Sequence, residues 1–413
     1  MYLAIPPAYG HPDDGEPRPP FVLMEPYAYF ADRDNATTAT CEITGYDGTF
    51  KLTFCTARAP LVSYMCFHAT HYSHTDFGVQ PQILAAETDG GLVLLRVVFG
   101  KDHSSIMFPH NREYLVYDAS VPSLKHLPHP GSFLFSDDSL AFVRKCSHVA
   151  SHDCSSNCGY VLAAHCGGFL YPEPSELYLS HSDSETWEKK QLVLKKQSSD
   201  RVPYHSTCKA ITLGGHTVAW VDLWYNIVIC DDVLAERPEL RSLELPPPIV
   251  GYNQGRNGNP RSLRDITLID GFFKYVQILP GSPIPLGFFE WEVTVWSTRT
   301  SSSSAKDWVA EYKLKSTEIP ETSLPELRVD LGRPQPTLST LHIGLPIPSL
   351  QDTGIVYLLS KVFHCDNDHV AWVLAVDMRN KTIQKVGEFN AARTLGLAKG
   401  YNATSISKFL KGN

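Results

Sequence analysis

The residues best suited to chemistry stand in one mid-chain stretch, CSHVASHDCSSNCGYVLAAHC, running from Cys146 to Cys166. It holds Cys146, Cys154, Cys158 and Cys166, with His148, His152 and His165 among them. Thiolates and imidazoles are the ligands of tetrahedral zinc, and the spacing of Cys154 and Cys158 suits a metal knuckle. A finger also needs a second close ligand pair at a set distance, and none follows. We therefore read a polar loop with incidental cysteines, then a strand that buries Cys166. His68, His71 and His74 recur at intervals of three. On a helix the first two would share a face and the third would drift off it. Their neighbours are loop formers, so the expectation is a solvated loop with ordinary histidine titration.

Other chemistry lacks its scaffold. The sequence contains no Gly-x-Ser-x-Gly elbow, no Walker loop, no Gly-x-Gly-x-x-Gly turn and no His-Glu-x-x-His pair. The acidic pairs Asp13-Asp14, Asp137-Asp138 and Asp231-Asp232 sit in turn-like contexts. Glycosidase carboxylates must face each other across a cleft, so these read as solvated turn acids. Arg256, Arg261 and Arg264 belong to a Gly/Asn-rich stretch that reads as a solvated loop, with contact to an acidic partner as the alternative. Trp187, Trp220, Trp308 and Trp372 fall at repeat-like places and read as core; Trp224, Trp291 and Trp296 are less determined. No catalytic residue, cofactor site or metal ligand is assigned, and no cofactor is expected.

The elements that would position any site are strands. The densest signal is His216–Pro248, where the apolar runs around Trp220 and Ile227–Cys230 read as a hairpin buried on both faces. An alternating run, Leu240–Leu245, then stops at three prolines, which lack the N–H a ladder needs. Asp-Gly signals at Asp47-Gly48 and Asp89-Gly90 mark further hairpins. Tyr160–Ala164 and Cys166–Leu170 read as strands around a turn. Glu176–Leu194 and Trp291–Leu314 share one layout: strand, Ser-rich turn, tryptophan, strand. Val218–Val221 and Val370–Val373 share the tetrapeptide VAWV. Such repeats of short strands predict an all-β fold, a single β-propeller-like domain of about five to six blades over residues 21–413. Residues 1–20 are Pro-rich and read as a flexible lead-in. One helical turn is expected within Val233–Leu240 and another within Ala391–Ala398. Gly251–Arg264 and Glu318–Pro336 read as loops.

Composition bounds the partners. The 413 residues carry a net charge of −8, which argues against general nucleic-acid binding. No apolar run reaches the length of a membrane span, and the N-terminus lacks a secretory pattern. The expectation is an intracellular protein, cytoplasmic or nuclear, whose 10 cysteines are mostly reduced. The sequons at Asn35, Asn380 and Asn402 are then chance matches.

Several long segments resemble a plant family expanded in grasses. They are FVLMEPYAYFADRDNATTAT (Phe21–Thr40), KLTFCTARAPLVSYMCFH (Lys51–His68), GGHTVAWVDLWYNIVICDDVLAERPELRSLELPPP (Gly214–Pro248), RDITLIDGFFKYVQI (Arg264–Ile278) and WEVTVWS (Trp291–Ser297). The family is known by its domain of unknown function 1618, here centred on about 214–300. It resembles the propellers that accompany F-box proteins, which implies a propeller and no assigned catalytic residues. The functional expectation is a non-catalytic binding or adaptor module for protein partners. The rival expectation is a small-molecule sensor or enzyme using the propeller channel.

Overall fold

The computed structural model describes residues 5–10, 18–88, 90–131, 135–146, 159–167, 175–194, 205–246, 258–281, 290–329, 334–363, 370–394, 397 and 400–410. Among them are six small β-sheets, short 3-10 turns and no α-helix. The sheets stand in a ring, so the chain is a six-bladed propeller.

Five blades share one plan of four antiparallel strands laid from the centre outward. Blade 2 is Gln82–Ala86, Leu92–Val98, Arg112–Asp118 and Ser123–Leu127. Blade 3 is Leu140–Arg144, Tyr160–Cys166, Glu176–His181 and Trp187–Gln191. Blade 4 is Lys209–Gly214, Thr217–Val221, Asn226–Cys230 and Glu239–Glu244, with Val193–Leu194 added parallel at its outer edge. Blade 5 is Arg264–Ile269, Phe272–Pro280, Trp291–Arg299 and Val309–Lys315. Blade 6 is His342–Pro348, Ile355–Lys361, Val370–Asp377 and Thr382–Asn390. From blade 2 to blade 6 the first strand of each blade contacts the first strand of the next, which makes these strands the wall of the channel.

Blade 1 is built the other way and closes the ring. Ala39–Cys41, Phe50–Cys55 and Val62–Ala69 run from the rim inward. Val22–Met24 and Tyr29–Phe30 then lie parallel to Val62–Ala69, and Asn402–Thr404 pairs antiparallel with Val22–Met24. Both ends of the described chain thus share one sheet, and the open edges of a strand array are removed by closure. Within the lead-in, the Pro7 and Tyr9 carbonyls accept from the Tyr64 hydroxyl at 3.0 and 2.6 Å.

The apolar residues form six layers, one between each pair of neighbouring blades. A blade with a neighbour on each face needs both faces apolar. That is why Leu92–Val98 and Ile355–Lys361 are buried throughout instead of alternating. Polar clamps cross the same boundaries. Trp220 donates its indole N–H to the Ser139 carbonyl at 2.7 Å, joining blade 4 to blade 3. Trp187 donates to Pro128 at 3.2 Å and Trp308 to Glu244 at 2.9 Å. Each of these two indoles reaches the end of the outer strand of the blade before it, so the shared layout has one structural job.

Some local expectations change. The two VAWV segments are not equivalent: Trp220 is on the second strand of its blade and Trp372 on the third. Similar burial on both faces produced the same tetrapeptide at two depths. Tyr160–Cys166 is one unbroken strand, so no turn falls at His165. Residues 233–238 form turns without a helix, because Pro238 leads straight into the strand Glu239–Glu244. Ala391–Arg393 is one 3-10 turn. The hairpin around Asp47-Gly48 joins Cys41 to Phe50 through a longer loop than a two-residue turn.

Candidate functional site

Antiparallel blades laid outward from a first inner strand send their connections alternately to two ends. All blade-to-blade links, and each link between a second and third strand, therefore gather at one end of the ring. Among the described residues, this connecting end holds 99–111, 128–131, 135–139, 258–263, 316–329, 334–341 and 391–394, whereas the opposite end has tight turns such as those at Gly215 and Gly271. Long loops on a rigid ring are where binding groups are usually found.

A pocket of about 790 Å³ opens at the connecting end between blades 1, 2 and 6. One wall is the segment His74–Gln80, another Lys101–Ile106, and the third Ala392–Thr394. Local geometry holds the first two together. The Gly78 N–H donates to the Val98 carbonyl at 2.9 Å and the Gly100 N–H to Asp76 at 2.9 Å. Gly100 has φ of +140°, and a Cβ there would strike the Ser105 hydroxyl at 2.1 Å, so only glycine fits. Asp102 then accepts from the Ser104 N–H at 2.8 Å and its hydroxyl at 2.6 Å, which fixes the loop bearing Lys101.

The floor is Tyr27, Gln82 and Arg96. Arg96 is 3% exposed and stands in the otherwise apolar strand Leu92–Val98. Its Nη1 donates to Asp137 and its Nη2 to Gln82 Oε1 at 2.6 Å. Its Nε–H has no acceptor among the described residues. Arg393, on the third wall, is committed elsewhere. It donates to Glu25, to Gln80 at 2.7 Å and to the Tyr27 carbonyl, and its guanidinium lies 4.1 Å from the Tyr29 ring centre. This cluster binds the sixth blade to the first. Burial pushes the Glu25 carboxyl up to about 7 although Arg393 pulls it down.

Tyr27 and Gln82 also line a narrower cavity of about 130 Å³ in the channel, with Asp137, Asp138, Cys208, Lys209, Arg261, Tyr401 and Asn402. The Arg96–Asp137 pair is thus the partition between pocket and channel. Lys209 donates to Asp265 at 3.1 Å and to the Ile266 carbonyl at 2.8 Å, and burial lowers its ammonium. Arg261 donates to Asn402 Oδ1 at 2.9 Å. Burial pushes the Cys208 thiol up to about 11, so it is a thiol and not a thiolate nucleophile at neutral pH.

The residues singled out in the sequence are scattered. His165 is a core residue of blade 3, its ring centre 5.2 Å from Trp220 and 5.6 Å from His205. Burial holds its imidazole down at about 3, in the neutral form. Cys146 is disulfide-bonded and so offers no thiolate. His148, His152, Cys154 and Cys158 lie outside the described residues, as do Asp13, Asp14 and Arg256. His68 is on a strand, His71 in a turn and His74 at the pocket rim, so the three do not converge. No group of three His, Cys, Asp or Glu side chains able to hold a metal exists among the described residues.

Asp137 is not a solvated turn acid, since it is half-buried at the channel wall and tied to Arg96, whereas Asp138 beside it is exposed in the same 3-10 turn. Arg261 and Arg264 also leave the solvated-loop reading. Arg261 lines the channel, and Arg264 stacks 4.3 Å over Trp224 and donates to Leu223 at 3.1 Å. Asp231 meets Arg241 at 3.0 Å and Asp232 accepts from the Leu234 N–H at 2.9 Å, both in a turn. Trp220, Trp308 and Trp372 are buried; Trp187 is half-buried and stacked on Phe135 at 5.2 Å. Trp291 is buried and Trp296 half-buried, both within blade 5. The sequence reading passed over Arg96, Lys101 and Arg393. Arg96 carried a usable signal, since a charge inside LVLLRVV must find a buried partner.

No curated protein matches the chain. Among solved structures, one match is the Bombyx mori GH32 beta-fructofuranosidase BmSUC1, at 12% identity and a TM-score of 0.28. It covers 80% of this chain and 61% of that chain, so the chain spans about three-fifths of that enzyme's length. A likeness so distant says nothing about chemistry. Residues 220–357 match the model of a family described as "Protein of unknown function (DUF1618)". They run from the second strand of blade 4 into the second strand of blade 6, further along the chain than the 214–300 core expected from the signature. The matched stretch overlaps the Gly214–Pro248 signature from residue 220 onward and covers about a third of the chain.

Proposed function

We propose that the chain is a binding module that holds a protein partner at its connecting end. The observation that carries this reading is the preformed pocket there, framed by loops stapled to rigid blades. Exposed apolar side chains on the same end add to it: Met107 is 72% exposed, Phe108 50% and Phe363 61%. Phe108 and Phe363 both follow second strands, so both face this end. A few large side chains at the centre of an interface carry most of its binding energy. An adaptor role in an intracellular setting fits six cysteines that carry thiols, Cys41, Cys55, Cys66, Cys166, Cys208 and Cys230; the disulfide at Cys146 opposes that setting.

The test is capture on the immobilised full chain, followed by reconstitution with the purified partner. Phe108→Ser combined with Phe363→Ser should weaken the reconstituted complex about tenfold or more. Val121→Ser, at the opposite end, should leave it unchanged. Equal loss from Val121→Ser, or no loss from the paired variant, would refute the placement.

A further inference from the structure

The channel cavity of about 130 Å³ carries four charged side chains, and the fold has already matched two of them. Asp137 is tied to Arg96. The Lys209 ammonium donates to both Asp265 oxygens, at 3.1 and 3.2 Å, and to the Ile266 carbonyl at 2.8 Å. Arg261 is different. It is half-buried, its Nη2 donates to Asn402 Oδ1 at 2.9 Å, and no carboxylate pairs with it among the described residues. A guanidinium has five N–H donors, so most of this one remains for another acceptor. The fourth charge is Asp138, exposed on the same wall. A carboxylate accepts several donors at once, so a contact it already makes leaves room for another. The Cys208 thiol, raised chiefly by burial, is also pulled down by Arg261 and pushed up by Asp138, which places it within the field of both. Ile83, Leu140 and Leu345 give the cavity its apolar lining. Asp138 belongs to the link between blades 2 and 3 and Arg261 to the link between blades 4 and 5, so the ring sets their separation.

We propose that this cavity binds a small aliphatic α-amino acid as its zwitterion. The carboxylate accepts from Arg261, the ammonium donates to Asp138, and the side chain lies against Leu140 and Leu345. A simple anion would meet the like charge of Asp138, and a simple cation that of Arg261. A molecule carrying both charges is opposed by neither, so the balanced wall becomes a source of selectivity. A space of about 130 Å³ admits a short aliphatic side chain and shuts out an indole. The site goes beyond the partner reading: it lies in the channel and uses none of the exposed aromatic residues at the connecting end.

Calorimetry on the full chain tests it with L-valine, isovalerate, isobutylamine and L-tryptophan. Isovalerate is valine without its ammonium, and isobutylamine is valine without its carboxylate. Valine should bind saturably, each singly charged probe about tenfold more weakly or not at all, and tryptophan not at all. Arg261→Gln should weaken valine about tenfold and erase its advantage over isobutylamine. Asp138→Asn, at an exposed position, should erase the advantage of valine over isovalerate. If Arg261→Gln does not fold, Asp138→Asn decides alone. No saturable binding of valine, equal binding of either singly charged probe, binding of tryptophan as tight as valine, or indifference to either folded variant would overturn the proposal. Partner capture that survives without valine binding sinks this inference alone. Valine binding with no effect of Phe108 and Phe363 on the partner sinks the partner placement alone.

Discussion

The contact between Arg393 and Glu25 makes the closure of the ring measurable. Arg393→Met removes three donors at once, those serving Glu25, Gln80 and the Tyr27 carbonyl, together with the stacking on Tyr29. Both charged groups are buried. Breaking a buried pair by removing one partner costs about 3–5 kcal/mol, because the other charge stays behind without compensation. Glu25 can escape that cost by taking a proton. Its folded carboxyl is raised from 4.5 to about 7 by burial, even with Arg393 beside it. A raised carboxyl contributes stability that is complete below the unfolded value and is lost as pH rises through the folded one. In the native chain, then, the Glu25 contribution fades between about pH 4.5 and 7. Without Arg393 the folded value climbs further, and the loss extends to higher pH. The cost of Arg393→Met should therefore grow with pH. Near pH 5 it should be about 1–3 kcal/mol, from the unmet Gln80 and Tyr27 acceptors, and near pH 8 it should approach the full figure. Urea unfolding at both pH values reads this directly, and Arg393→Met with Glu25→Gln should recover part of the loss at pH 8 only. A cost independent of pH, or larger at pH 5, would refute the account of a carboxylate stranded by burial.

Two further perturbations separate packing from titration. Trp308→Phe should cost about 1 kcal/mol for the lost bond to Glu244, and Trp308→Ala about 3–5 kcal/mol, with half-buried Trp187→Ala costing less; denaturant midpoints giving Trp187 the larger effect would show that the two indoles are not the same device. His165 is held neutral down to about 3 by burial, against 6.5 unfolded, so its contribution to stability is complete above 6.5 and is lost as pH falls through that window. His165→Phe should flatten the acid limb of the stability–pH curve, and an unchanged slope between pH 6 and 4 in urea titrations would show that acid sensitivity arises elsewhere.

The sequence carried the fold because strand runs and their turns are local properties. The hairpin at Val218–Cys230, the outer strand ending at the prolines after Leu245, and the paired Trp187 and Trp308 layouts all follow from spacing over a few residues. The VAWV match misled because a tetrapeptide reports burial on two faces and says nothing about strand position within a blade. The site was mostly illegible. Arg96, Lys101 and Arg393 come from the second strand of blade 2, the loop after it and the end of the last blade, and they share a pocket only because the ring closes.

By itself the sequence determined an array of short β-strands with aromatic pins, since side-chain pattern and turn chemistry act within a few residues of chain. Tertiary structure alone decided that there are six blades, that the first is filled from the rim inward and sealed by both ends, and that Asp137 meets Arg96. Those depend on which strand faces which neighbour across the ring, and no local pattern encodes a contact between residues on different blades.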